Sequence, residues 1–112
     1  METINTQLEK ALSFANYQST LNQQRQLLKQ KFDNDCIVAH NGGLFKISQE
    51  WLAGFDAESL WCLDMNQTPV QIDNPNEFFN KAQLAYRTAL SDYGTAYQEL
   101  RKQRSVRVLT GL

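Results

Sequence analysis

Asn74-Pro75-Asn76-Glu77-Phe78-Phe79-Asn80-Lys81-Ala82 opens a run that continues without another proline to Arg104, and its reading decides the fold. Asn74 supplies an N-cap side chain. Pro75 takes the first helical position, where no N–H is needed, and Glu77 sits at the third, the partner position of a capping box. Phe79, Tyr86, Tyr93 and Leu100 then recur every seven residues, with Ala82, Ala89 and Ala96 three residues after the first three. This is one apolar stripe on a helix, and its alternation of large and alanine side chains suits a closely packed helical partner. Phe78, Phe79, Leu84, Ala85 and Leu90 make the first half apolar nearly all round, whereas the second half narrows to Tyr93, Ala96, Tyr97 and Leu100. The first half is therefore expected to lie on a sheet and the second against another helix. Gly94 falls off the stripe and costs about 1 kcal/mol relative to alanine.

Working back toward the N-terminus, residues 3–32 contain neither proline nor glycine and read as a second long helix. Thr6 and Glu9 have capping-box spacing one turn in. Ile4, Leu8 and Leu12, then Phe14, Tyr17, Leu21, Leu28 and Phe32, form a stripe interrupted by Gln24 and Arg25. A helix so polar around its circumference needs a partner to persist in water. Asp33-Asn34-Asp35 is expected to end it. An antiparallel pairing of the two helices would set Phe32 near Phe79, Leu21 near Leu90 and Phe14 near Tyr97, and the same stripes would equally serve a dimer.

Between the helices, Cys36-Ile37-Val38-Ala39-His40 and Leu44-Phe45-Lys46-Ile47 flank Asn41-Gly42-Gly43, a hairpin signal, because Asn and Gly accept the positive φ of a tight reversal. Ser48 is positioned to cap a short helix through Trp51, Leu52 and Ala53, with Gly54 as its stop. Leu60 to Met65 reads as a third strand and Val70-Gln71-Ile72 as a fourth. The fourth begins at Pro69, which cannot donate to a ladder and favours an edge. Period-two alternation puts Trp61, Leu63 and Met65 on one face and Val70 and Ile72 together; with Phe45 and Ile47 these are the expected core. The fold class is α+β: a long N-terminal helix, two β-hairpins forming a small antiparallel sheet with a short helix between them, and a long C-terminal helix. One domain spanning 1–112 is expected, with 105–112 as a flexible tail or with Val106, Val108 and Leu109 adding to a partner's sheet edge.

The totals exclude several function classes. A chain of 112 residues with 42% apolar and 11% aromatic content builds one core, and a net charge of −1 gives no global attraction to nucleic acid or an anionic membrane. No stretch approaches the roughly 20 apolar residues of a membrane span. The first residues lack a basic n-region and apolar block, so the cytoplasm is the expected compartment and Cys36 and Cys62 are expected to be reduced. His40, the sole histidine, makes a C-x3-H pair with Cys36, and Cys62 lies on another strand. No C-x2-C pair or fourth ligand accompanies them, so the reading is two thiols acting as small apolar residues and a turn histidine, with no metal and no cofactor. No carboxylate stands at a spacing that would orient a Cys–His nucleophile, and Asn41-Gly42-Gly43 lacks the phosphate-loop pattern, so no catalytic residue is assigned and the protein is not expected to be an enzyme.

One charge run remains. Arg101, Lys102, Arg104 and Arg107 follow Glu99 with no further acid. It reads first as a basic last turn complementing the helix dipole, and second as a phosphate contact for a small nucleic-acid-binding regulator. The leading expectation is a non-enzymatic interaction or assembly protein that self-associates, as a homo-oligomer, or binds a protein partner through Phe14, Tyr17, Leu21, Tyr86, Tyr93, Tyr97 and Leu100. Tyrosines interleaved with alanines suit an interface that is partly wet.

Helix, two hairpins, helix resembles in outline a prefoldin subunit; the element order alone is shared and the first helix has no clean heptad, so nothing is carried over from that family. The segment Leu63-Asp64-Met65-Asn66-Gln67-Thr68-Pro69-Val70-Gln71-Ile72-Asp73, with the tyrosine-spaced helix and Arg101-Lys102-Gln103-Arg104-Ser105-Val106, resembles small accessory proteins of tailed bacteriophages. That resemblance covers about half the chain. It implies a virion or assembly role, in the host cytoplasm or the particle, and names no functional residue.

Overall fold

A computed structural model describes residues 2–109, with side-chain surroundings defined for 8–13, 15 and 17–103. The chain runs α1 (Glu2–Asp35), β1 (Ile37–His40), β2 (Gly43–Lys46), α2 (Gln49–Gly54), β3 (Trp61–Leu63), β4 (Pro69–Gln71) and α3 (Pro75–Leu109), the expected α+β order. Its extents are 73 × 24 × 19 Å and its radius of gyration 21.5 Å. A compact chain of this length would have a radius near 13 Å, so the molecule is elongated: a head of two hairpins on a stalk of two helices.

Each hairpin follows from its turn chemistry. Asn41 and Gly42 take φ of 47° and 80°, the paired positive values of a two-residue turn that matches strand twist. His40 then faces Gly43 and Val38 faces Phe45. In the second hairpin Asp64 builds the reversal. Its carboxylate accepts from the backbone N–H of Asn66 and of Thr68, each at 2.9 Å, and from Leu44 N–H of the first hairpin at 3.4 Å. The strand consequently stops at Leu63 instead of continuing to Met65.

The expected core of this hairpin requires a correction. The register sets Cys62 opposite Val70, with Leu63 opposite Pro69 and Trp61 opposite Gln71. Trp61 and Leu63 therefore lie on the face opposite Val70, and only one of the two sets can be inside. Val70 and Ile72 are buried, whereas Trp61 is 60% exposed, Leu63 54% and Met65 44%. The core is Val38, Phe45, Ile47, Val70, Ile72, Phe78 and Ala82, with Trp51, Leu52 and Phe55 packed against it. Phe78, 1% exposed, sits at its centre: its ring lies 4.9 Å from Phe45, 5.7 Å from Trp51 and 5.9 Å from Phe55. Burial of such a side chain contributes about 1.5–3 kcal/mol.

The signals at Asn74 and Ser48 act as read, whereas α1 already begins at Glu2, so Thr6 and Glu9 lie inside the helix and do not start it. Asn74 Oδ1 accepts from Glu77 N–H at 3.2 Å, and its amide donates to Glu77 Oε2 at 3.3 Å. Ser48 Oγ accepts from Trp51 N–H at 3.0 Å to start α2, and Gly54 is the last residue of that helix. α1 continues through Asp33-Asn34-Asp35, where Lys29–Asp33 and Lys31–Asp35 form i,i+4 ion pairs at 2.9 and 2.6 Å. Both pairs are exposed, so solvent screening leaves them a small part in stability. α3 runs past Arg104 to Leu109, so 105–109 extend the helix. Residues 110–112 lie outside the described part.

The helices pair antiparallel within the chain, in a register different from the expected one. Phe32 stacks on Tyr93 at 5.0 Å and meets Tyr86 edge-on at 6.1 Å, while Phe79 stacks instead on Phe55 at 5.5 Å. The head is the reason. Phe78, Ala82 and Ala85 are used in the head core, and Phe32 of α1 meets α3 further along, at Tyr86 and Tyr93. Phe14, placed near Tyr97 by the expected register, has its side chain outside the described residues.

Candidate functional site

The stalk buries Leu21, Ala89 and Leu100 along its seam. Two helices cannot enclose each other, and the flanks of the seam stay open. On one flank a hollow of about 470 Å³ is lined by Leu28, Lys31, Phe32 and Asp35 of α1 and by Ala89, Asp92, Tyr93, Thr95, Ala96 and Glu99 of α3. A second hollow, about 320 Å³, adds Gln24, Leu27, Leu100 and Gln103. The two share Leu28, Ala96 and Glu99, so they join into one groove. From Gln24 to Asp35 it runs about 16 Å, three helical turns.

Its floor is apolar and low because Ala89 and Ala96 carry no bulk, and its rim is charged. Asp35, Asp92 and Glu99 stand against Lys31, whose ammonium donates to Asp35 and is held above its ordinary pKa chiefly by that hydrogen bond. The rim is therefore net acidic. Leu27 stands 63% exposed at the groove edge. The opposite flank has another character: Arg25, Gln26, Lys29, Gln30, Tyr93 and Tyr97 line a hollow of about 390 Å³ with basic edges.

The expected interface residues are distributed as follows. Tyr86 and Tyr93 pack on Phe32 inside the chain, and Leu21 and Leu100 are buried there, so these four serve the intramolecular seam. Tyr17 is half-buried. Tyr97 meets Tyr93 edge-on at 6.1 Å and carries the Arg101 guanidinium 5.0 Å above its ring. Lys102 is exposed on the same helix, and the side chains of Arg104 and Arg107, like that of Phe14, lie outside the described residues. Tying Arg101 to Tyr97 gives the basic run a local partner.

Leu27, Leu28, Ala96 and the acidic rim were not singled out from sequence as a groove. The alanine spacing was the available signal, since small residues at Ala89 and Ala96 leave room on the seam as well as across it. Elsewhere, His40 lies against Phe78 at 4.6 Å, and Cys36 and Cys62 are free thiols. Burial pushes both thiols up, and Asp33 and Asp35 add to the effect at Cys36. Among the described residues no group of three or more His, Cys, Asp or Glu side chains is placed to hold a metal ion, and no helix is long and apolar enough to cross a membrane. Comparison with family models, curated proteins and solved structures gives no match.

Proposed function

We propose that this chain is a non-enzymatic interaction or assembly protein whose stalk receives a helix from a protein partner or from another copy. The observation that supports this reading is the groove floored by Leu28, Phe32, Ala89, Ala96 and Leu100. A third helix laid along three turns would cover the uncovered flank of the seam and complete a bundle. The rim sets the chemistry of that helix: an apolar stripe edged by lysine or arginine, to face Asp35, Asp92 and Glu99. Virion assembly in a phage-infected cell, implied by the resemblance of 63–73, is the first setting in which to look for it.

The test is a photo-cross-linking side chain installed at Leu27, on the groove edge, and separately at Gln26, on the opposite flank. Adducts in the native cells that appear from position 27, fall on one helical stripe of one protein and are lost with Ala96→Glu fit the proposal. Identical adducts from both positions, or none from position 27, sink it.

A further inference from the structure

Beside β3 the head carries a hollow for which the stalk groove gives no use. About 390 Å³ in volume, it is lined by Glu50, Trp51 and Phe55 at α2 and by Asp56, Trp61 and Leu63 beyond it. That size falls among small-ligand sites. Its aromatic wall is not a closed cage. Phe55 stacks on Trp51 at 5.1 Å and on Phe79 at 5.5 Å, which occupies its faces, and Trp51 also packs on Phe45 and Phe78. Trp61, 60% exposed, keeps its indole available. Ser59 holds that residue in place: its Oγ accepts from Trp61 N–H at 3.2 Å and donates to Trp61 O at 2.8 Å, and Ser59 N–H donates to Asp56 O at 3.2 Å. Asp56 and Trp61 are thus tied into one short loop.

The charge of the hollow is one-sided. Besides the Cys62 thiol its ionisable lining is Glu50 and Asp56, and neither carboxylate forms an ion pair among the described residues. Asp56 Oδ1 accepts from Glu58 N–H at 2.9 Å, which leaves the second oxygen for a ligand. Lys46 stands with Leu44 on the exposed face of β2, outside the lining. Between Lys46 and Lys81 the chain holds six carboxylates and no lysine, arginine or histidine. The site therefore attracts a cation. Its form selects which one. A compact, strongly hydrated ammonium gains most where it is enclosed, and this hollow is open. A guanidinium is planar and weakly hydrated, so it lies flat on an exposed indole while its edge donates to carboxylates.

We propose that this hollow binds a guanidinium group, stacked on Trp61 with its N–H groups directed at Asp56 and Glu50, whether carried by an arginine side chain or by a small guanidinium compound. The site is separate from the stalk groove and does not rest on it.

Trp51 and Trp61 are the chain's two tryptophans and both line the hollow, so the two indole N–H signals in a proton–nitrogen correlation spectrum of the full chain report its occupancy. A capped Gly-Arg-Gly peptide, titrated to roughly 50 mM at constant ionic strength, is expected to shift both signals saturably, with millimolar affinity. The matching Gly-Lys-Gly peptide is expected to bind at least about threefold more weakly. Asp56→Asn keeps the oxygen that receives Glu58 N–H, and Trp61→Leu changes an exposed position. Each is expected to weaken arginine binding at least about threefold with an unchanged far-UV circular dichroism spectrum. Propylguanidine bound as tightly as the arginine peptide assigns the site to a free guanidinium compound; tighter binding of the peptide assigns it to an arginine of a protein partner. No saturable shift, equal binding of the lysine peptide, or wild-type affinity in either variant overturns the proposal.

Discussion

Gly43→Ala tests how closely the two hairpins press together. The backbone there needs no positive φ, so alanine meets no conformational penalty of its own; the obstacle is space. A Cβ on Gly43 would lie 2.5 Å from Val70 Cγ2, 3.2 Å from Phe45 Cε2 and 3.4 Å from Asp64 Cβ. The first distance falls at least about 1 Å short of ordinary carbon–carbon contact, near 3.5–4.0 Å. Val70 cannot swing away freely, because a β-branched side chain has few χ1 choices and this one is buried. Phe45 is fully buried, which closes the second exit. Overpacking of this kind costs about 1–3 kcal/mol. Val70→Ala alone costs about 1–2 kcal/mol for two buried methyl groups and the space they leave. In the double variant the offending methyl is gone, so Gly43→Ala should become nearly neutral, a coupling on the order of 1–2 kcal/mol. Urea unfolding of wild type, both single variants and the double variant, followed by circular dichroism, measures it. Strict additivity, or a Gly43→Ala chain as stable as wild type, would refute the idea that the first turn is pressed against Val70.

Three further outcomes follow from local features. The hydrogen bond from Thr68 N–H, supported by those from Leu44 and Asn66, holds the Asp64 carboxyl below its ordinary pKa. Its contribution is complete above the unfolded-state value, near 3.9, and is lost as pH falls through the lower folded value, so the stability gap between wild type and Asp64→Asn should narrow on acidification in an unfolding series from pH 7 downward. Gly94 lies on an exposed helical surface with nothing within 4 Å of an added Cβ, so Gly94→Ala should raise stability by about 0.5–1 kcal/mol in thermal melts. Cys36 is buried and Cys62 half-buried, beside an open hollow with Trp61 and Leu63. A thiol reagent monitored by mass spectrometry should modify Cys62 first and Cys36 only on unfolding; simultaneous modification would show that the head opens as a unit.

The start of α3 and the first hairpin were legible because their signals are local: a cap, a proline and a turn each act within a few residues. The face assignment of β3 was not. Alternation says that Trp61, Leu63 and Met65 stand together, and hydrophobicity favours putting them inside. The decision belongs to the turn at Asp64, which sets the register and turns Val70 and Cys62 inward instead. The helix pairing shows the same division. The stripes announce that α1 and α3 meet, but their register depends on how much of α3 the head consumes, which no periodicity records. The candidate groove lies further still from the sequence, since it is a property of two helices together: Ala89 and Ala96 mark close approach without saying which flank stays uncovered.

Both helices run from the head to the same distal end, and this governs how the molecule would bear a load. Tension applied between Glu2 and Leu109 would part the stalk from its tip, one seam contact at a time, whereas an arrangement with ends at opposite poles would strain the whole seam at once. Leu100 against the first helix would give way before Phe32 against Tyr93, and the head would act as the clasp that yields last. Under such a load Phe78 and its aromatic neighbours would keep the two arms in register after the distal seam had parted.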